Sequence, residues 1–230
     1  GALPISRVVA PRPCIELSKG LVYPAPAFIW RTSTLSKEFC MNTEFEKQAL
    51  HRYRRMAWIT IAAVYFLILV GASVRASGAG MGCPDWPTCF GQWIPPTSEA
   101  QLPSNYQQIY AELGYAETRF NVVKTWTEYM NRLTGVSIGF LILLTAIYSW
   151  RVRRYDRSIL LASVAAFVMV GFQGWLGAQV VGSNLQPGLI TLHMLMALTL
   201  VGTLLFAVAQ ARRGIMATQS VTKIDPRFQR

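Results

Sequence analysis

The sequence predicts an all-α fold, an integral membrane four-helix bundle, and three observations carry that expectation. Four apolar runs are each close to the length that crosses a bilayer as a helix, about 20 residues. Hydrophobic residues make up 52% of the 230-residue chain and charged residues only 14%, so too little polar sequence remains to cover four buried helices in water. The 22 Lys and Arg, against 11 Asp and Glu, stand at the ends of the apolar runs, as in membrane proteins. A nucleic-acid binder spreads its cations over a polar surface instead. These features exclude a disordered chain and a disulfide-scaffold toxin. They also argue against a soluble enzyme and against nucleic acid as a partner.

The first run extends from Met56 to about Val74 and carries no charge before Arg75. The second runs from about Leu133 to Trp150, with an outer turn beginning near Glu128. The third covers about Ser158 to Val181 and the fourth about Gly188 to Gln210, and His193 is the one ionisable side chain in either. Pro187-Gly188 marks the turn into the fourth. Lys47, Arg52, Arg54 and Arg55 precede the first run; Arg151, Arg153, Arg154 and Arg157 separate the second from the third; Arg212 and Arg213 follow the fourth. The long loop 77–127 holds only Arg119 and Lys124 as cations, and the short loop 182–187 holds none. The positive-inside rule therefore places both termini in the cytoplasm and both of these loops outside.

Three segments follow. Residues 1–55 form a cytoplasmic leader. Residues 56–213 form the transmembrane domain with its outer loop 77–127. Residues 214–230 form a polar tail. Within the leader, residues 1–40 mix Pro, Ser and isolated cations without periodicity and lack a signal-peptide core. Met41 is the expected native start, the alternative being a disordered cytoplasmic arm. Cys14 and Cys40 fall in this stretch and carry no argument.

Several residues have chemistry that packing alone does not demand. Cys83 and Cys89 in the outer loop are separated by five residues, two of them proline. In an oxidising compartment this pair suits a disulfide, acting as a staple or, if exposed, as a redox switch; the spacing does not suit zinc. Glu128, Asn131 and Arg132 share a helix face at the outer end of the second run. There Glu128 is either a functional carboxylate or half of an interfacial ion pair. His193 lies about two turns into the fourth run, where an imidazole either bonds a neighbouring helix or ligates heme iron. Similar depth and shared proximity to the outer loop bring Glu128 and His193 together, and a four-helix bundle can hold a flat cofactor between facing side chains. Arg75 either snorkels to water or meets an anionic group such as a propionate. Gly135, Gly139, Gly171, Gly174 and Gly177 permit close helix approach, and Gln173 and Gln179 face either a cavity or another helix.

The segments VRASGAGMGCPDWPTCFGQWIPP, TEYMNRLTG and QGWLGAQVVGSNLQPGLITLHMLMAL closely resemble the heme A synthase family of cytochrome oxidase assembly proteins, over about Trp58 to Arg213. The resemblance implies one half of an eight-helix fold built from two similar four-helix repeats, and an integral membrane enzyme that oxidises a methyl group of heme O to the formyl group of heme A. This chain corresponds to the N-terminal half, which holds the substrate heme. By the same resemblance His193 is an axial ligand of the heme iron and Glu128 is catalytic. Asn131 and Arg132 of the same motif, with Arg75 from its position alone, are assigned to the cofactor site, and the resemblance implies that Cys83 and Cys89 form a disulfide close to the reaction.

Two departures qualify this. Asn131 stands where the commoner family motif has His, so the iron takes one imidazole, or another group fills its sixth position. The second repeat, where the resemblance places a heme b cofactor, does not follow the fourth run, so the sequence is expected to be a fragment or one half of a split or dimeric arrangement. The expected partners are membrane lipid, heme O, heme O synthase and cytochrome oxidase assembly factors, in a bacterial inner membrane. Rival readings are a non-enzymatic heme-binding or electron-transfer module and an assembly scaffold that binds no cofactor.

Overall fold

A computed structural model of the protein describes the backbone of residues 28–222 and the side chains of residues 45–216. Residues 1–27 with Cys14, the side chains of Cys40 and Met41, and residues 223–230 lie outside the described part, so the expectations placed on them have no structural counterpart. The helices are α1 (Phe28–Ala76), a short α2 (Tyr106–Ile109), α3 (Val122–Val152), α4 (Arg157–Gly182) and α5 (Pro187–Thr222), with single 3-10 turns at Glu99–Gln101 and Ala111–Leu113. No strand forms among the described residues. Four stretches are long and apolar enough to cross a membrane: Phe45–Ala76, Val122–Val152, Arg157–Gly182 and Pro187–Met216.

These helices outrun the apolar stretches that announce them. An apolar run marks what suits lipid, whereas a helix continues until a cap or a turn ends it. Thus α1 is helical from Phe28 rather than Met56, α3 starts at Val122 rather than near Glu128, and α5 continues beyond Gln210 into the expected polar tail. The stops are local chemistry. The Asn121 side chain accepts from the Lys124 amide at the start of α3, Asp156 accepts from the Ser158 amide at the start of α4, and Pro187 occupies the first position of α5. Both turns at the far ends of α1 and α4 are Schellman motifs. In the first, Ala79 donates to the Val74 carbonyl and Gly78, with φ +64°, to Arg75. In the second, Leu185 donates to Val180 and Asn184, with φ +55°, to Val181.

The four long helices form a square in the order α1, α3, α4, α5, each packed on its two neighbours, so α1 lies diagonal to α4 and α3 diagonal to α5. Their apolar core is confined to the half of the bundle away from the 77–121 loop. It consists of residues 49–64 of α1, 138–152 of α3, 159–166 of α4 and 200–215 of α5, with Tyr53, Ile142, Ile159 and Leu204 fully enclosed. Two polar contacts pin this half together: Thr60 to Thr145 at 2.8 Å and, across the bundle, Tyr53 to Ser163 at 2.7 Å. Toward the loop the buried apolar side chains thin out to Val74, Leu176 and Val181, and α5 buries none before Leu200. The outward faces carry exposed Phe66, Leu69, Phe140, Leu144, Leu161 and Leu198, as helices in lipid do.

The loop is a folded unit with its own centre. Phe90 meets Tyr106, Tyr110, Tyr115 and Phe120 edge-on, with ring centroids 5.3–6.3 Å apart. Cys89 and Gln92 exchange backbone hydrogen bonds around Phe90 and Gly91, both of positive φ, as a type I′ turn requires. The Asp85 carboxylate accepts from the amides of Phe90 and Gly91 and from the Thr88 hydroxyl. Tyr115 donates its hydroxyl to the Met81 carbonyl, and burial pushes its pKa upward, which keeps it a neutral donor.

This unit docks on the first turns of α3. Gly82 lies so close that a Cβ there would fall 2.2 Å from the Lys124 carbonyl oxygen, and the Gly82 carbonyl accepts from the Thr125 hydroxyl at 2.9 Å. A methyl group at this backbone-to-backbone contact cannot be absorbed by side-chain motion. Gly82→Ala is expected to lift the loop at a cost of about 1–3 kcal/mol, raising hydrogen exchange across residues 82–92 while leaving residues 138–152 protected. Unchanged exchange in the loop would contradict this docking.

Candidate functional site

Glu128 and His193 each lie six residues past the first residue of their helix. At about 1.5 Å per residue, both sit roughly 9 Å down from the loop end. They occupy the diagonal pair α3 and α5, in the half of the bundle that lacks an apolar core.

Glu128 is buried, and its Oε1 accepts from Arg132 Nε at 3.0 Å. The rest of the Arg132 guanidinium is committed to the loop backbone. Its Nη1 donates to the carbonyls of Asp85 (2.7 Å) and Thr88 (3.0 Å), and its Nη2 to that of Cys83 (3.1 Å). The two side chains are only 12% and 7% exposed, and a guanidinium so enclosed needs acceptors along its whole fork. Arg132, counted from the sequence among the cofactor contacts, joins the carboxylate to the cysteine loop in the structure. Within that loop the Cys83 and Cys89 sulfurs are 2.01 Å apart, at disulfide distance, and both residues are fully buried. The exposed bridge considered from the sequence is therefore not what the fold presents.

Asn131, one position before Arg132, turns toward α1, where its Oδ1 would lie 3.9 Å from a Cβ on Gly71. Arg75 ends α1 with an exposed side chain, and no hydrogen bond or ion pair joins it to another described side chain.

His193 packs against α4. Its Cε1 would lie 3.6 Å from a Cβ on Gly177, and its Nδ1 is buried without a hydrogen-bond partner. One turn earlier on α4, the Gln173 Nε2 donates to the His193 carbonyl at 3.0 Å, while the Gln173 Oε1 is buried and unpartnered. The sequence flags Gln173 as polar in an apolar helix without fixing its partner; Gln179, flagged equally, is exposed. Gly135 and Gly139 on α3 and Gly171 and Gly174 on α4 would each project a Cβ into open space.

Among the described residues no three His, Cys, Asp or Glu side chains cluster as metal ligands. A separate groove of about 790 Å³ opens between α1 and α3, walled by Phe66, Leu69, Val70, Val123, Trp126 and Met130 among others; neither Glu128 nor His193 lines it.

Comparison with known proteins places this arrangement in context. A family model described as cytochrome oxidase assembly protein matches residues 54–228. The heme A synthase of Shewanella oneidensis is 29% identical over 170 residues, covering 73% of this chain and 49% of that protein. The heme A synthase of Methylobacterium radiotolerans is 29% identical over 178 residues, covering 71% and 48%. That of Alkalihalophilus pseudofirmus is 31% identical over 136 residues, covering 59% and 38%. The chain thus spans about half the length of the first two relatives. No solved structure matches it. Four membrane-length apolar helices and a family match over most of its length identify the chain as an integral membrane protein that belongs to the cytochrome oxidase assembly protein family.

Proposed function

We propose that this chain is the substrate-heme half of a heme A synthase and that it serves the oxidation of a heme O methyl group to the formyl group of heme A. One observation carries the reading most. The loop-end half of the bundle has no apolar core, and it contains an imidazole whose buried Nδ1 has no partner. The helices continue through this half, and on α3 the partly buried Gly135 and Gly139 have no side chain and nothing within 4 Å of where one would start, which suits a flat apolar ligand between diagonal helices. His193 offers a single imidazole, a donor that suits an iron already held by a porphyrin. The relatives named heme A synthase support the same assignment.

In this reading heme supplies the iron-centred redox chemistry when bound, and the chain's residues hold and shield it. His193 would hold the iron through its imidazole, and Asn131, an amide where the commoner motif has an imidazole, would supply no strong second ligand. Glu128 is the buried acid–base group near the reacting edge, held by Arg132 so that its carboxyl stays under the cysteine loop. The loop covers the site from water, and Arg75 at the end of α1 is placed to meet a propionate. The cation-rich ends then face the cytoplasm of a bacterial inner membrane. The Cys83–Cys89 pair faces outward, where a disulfide persists. Heme O synthase and oxidase assembly factors are the partners this reaction implies.

His193→Ala is expected to abolish heme retention in the purified, helical protein, measured as Soret absorbance per chain; full retention would contradict the ligand assignment. Glu128→Gln, which keeps an acceptor for Arg132, is expected to leave heme bound. In membranes carrying the assembled enzyme it should lower heme A in pigment extracts by 100-fold or more, the scale of a lost acid–base group. Unchanged heme A in those extracts would refute the catalytic role.

A further inference from the structure

We infer that Gln173 orients His193 as an iron ligand: its side-chain oxygen accepts the imidazole Nδ1–H, directly or through one bridging water, and so leaves Nε2 for the metal. The inference rests on the heme reading above and names a positioning residue that neither the motifs nor the relatives' names assign.

Gln173 is 8% exposed in a helix that crosses the membrane, where an amide without partners is costly. Half of that amide is already committed to the same residue of α5, through the 3.0 Å bond from its Nε2 to the His193 carbonyl. Only four buried side-chain polar atoms among the described residues lack a partner, and two of them are Gln173 Oε1 and His193 Nδ1. They are complementary, an acceptor and, in the Nδ1–H tautomer, a donor. Both lie on the seam between α4 and α5, where Gly177, one turn along α4, lets the ring approach. Metal-bound histidines ordinarily donate their second ring N–H to such an acceptor, which fixes the ring and strengthens its hold on the metal. Among the described residues no other group is hydrogen-bonded to the His193 Nδ1.

The test uses the full chain in detergent with hemin as the probe, in the parent and in Gln173→Leu and Gln173→Glu, each first confirmed helical by circular dichroism. Gln173→Leu should weaken hemin binding 10- to 100-fold, the usual range for a lost outer partner. It should also lower the ferrous iron–histidine stretching frequency and raise the reduction potential. Gln173→Glu, a stronger acceptor, should keep hemin and move the stretch and the potential in the opposite directions. A purely structural role would move neither property in opposite senses, so identical stretch and potential in all three proteins would overturn the inference. The heme-free chain gives an independent arm. Nitrogen-15 shifts of His193 should show the Nδ1–H tautomer in the parent and its loss in Gln173→Leu. The Nε2–H tautomer in the parent would overturn the inference. If the parent binds no hemin, the heme reading fails, while the tautomer result still decides the role of Gln173.

Discussion

The guanidinium of Arg132 is the contact on which the site depends. From one position near the loop end of α3 it grips the Glu128 carboxylate and three loop carbonyls, those of Cys83, Asp85 and Thr88. A Lys could not replace it, because a single ammonium lacks the planar fork that reaches acceptors on several sides at once. Pairing also makes the burial of Glu128 tolerable, since a lone carboxylate in so enclosed a place would cost several kcal/mol. The same side chain therefore settles where the carboxylate points and where the cysteine loop sits.

The second constraint is the uneven packing of the bundle. Large side chains and interhelical hydroxyl pairs fill the half away from the loop, which gives the square a rigid base. The loop-end half trades that packing for glycines, an imidazole and a buried amide. Apolar burial is the main source of stability in a core, and voids forfeit dispersion contacts. A half-bundle without a core therefore gains those contacts only from something placed in it. The loop, centred on Phe90, docks on that half through Arg132 and Thr125 of α3.

Much of this was legible in the sequence, and the parts that were not share a cause. Helix number and order follow from apolar runs, because lipid imposes a length and a composition that soluble folding does not. The start of α3 was not legible from those runs, since the Asn121 cap decides it, and α1 and α5 continue past their apolar stretches to Phe28 and Thr222. Glu128 and His193 stand out as ionisable groups inside apolar stretches, and their equal depth follows from residue counting. The loop contacts of Arg132 were not legible, because those partners are backbone carbonyls 44 to 49 residues away, which no helical spacing reveals. The fold of the loop was hidden for a similar reason. Phe90 and its aromatic neighbours are scattered along residues 90–120 without a period. Gln173 was visible as an anomaly, but its pairing with His193 appears only when α4 and α5 are set side by side.

The proposed function requires a porphyrin in the loop-end half of the bundle, between α3 and α5 and beneath the cysteine loop. The most direct measurement is a cryo-electron microscopy structure of the membrane-embedded protein with heme bound. Density is expected for a single porphyrin beside Gly135, with iron bonded to the His193 Nε2 and Glu128 at the ring edge under the loop. Porphyrin density in the groove between α1 and α3, or iron bonded elsewhere with His193 turned away, would contradict it.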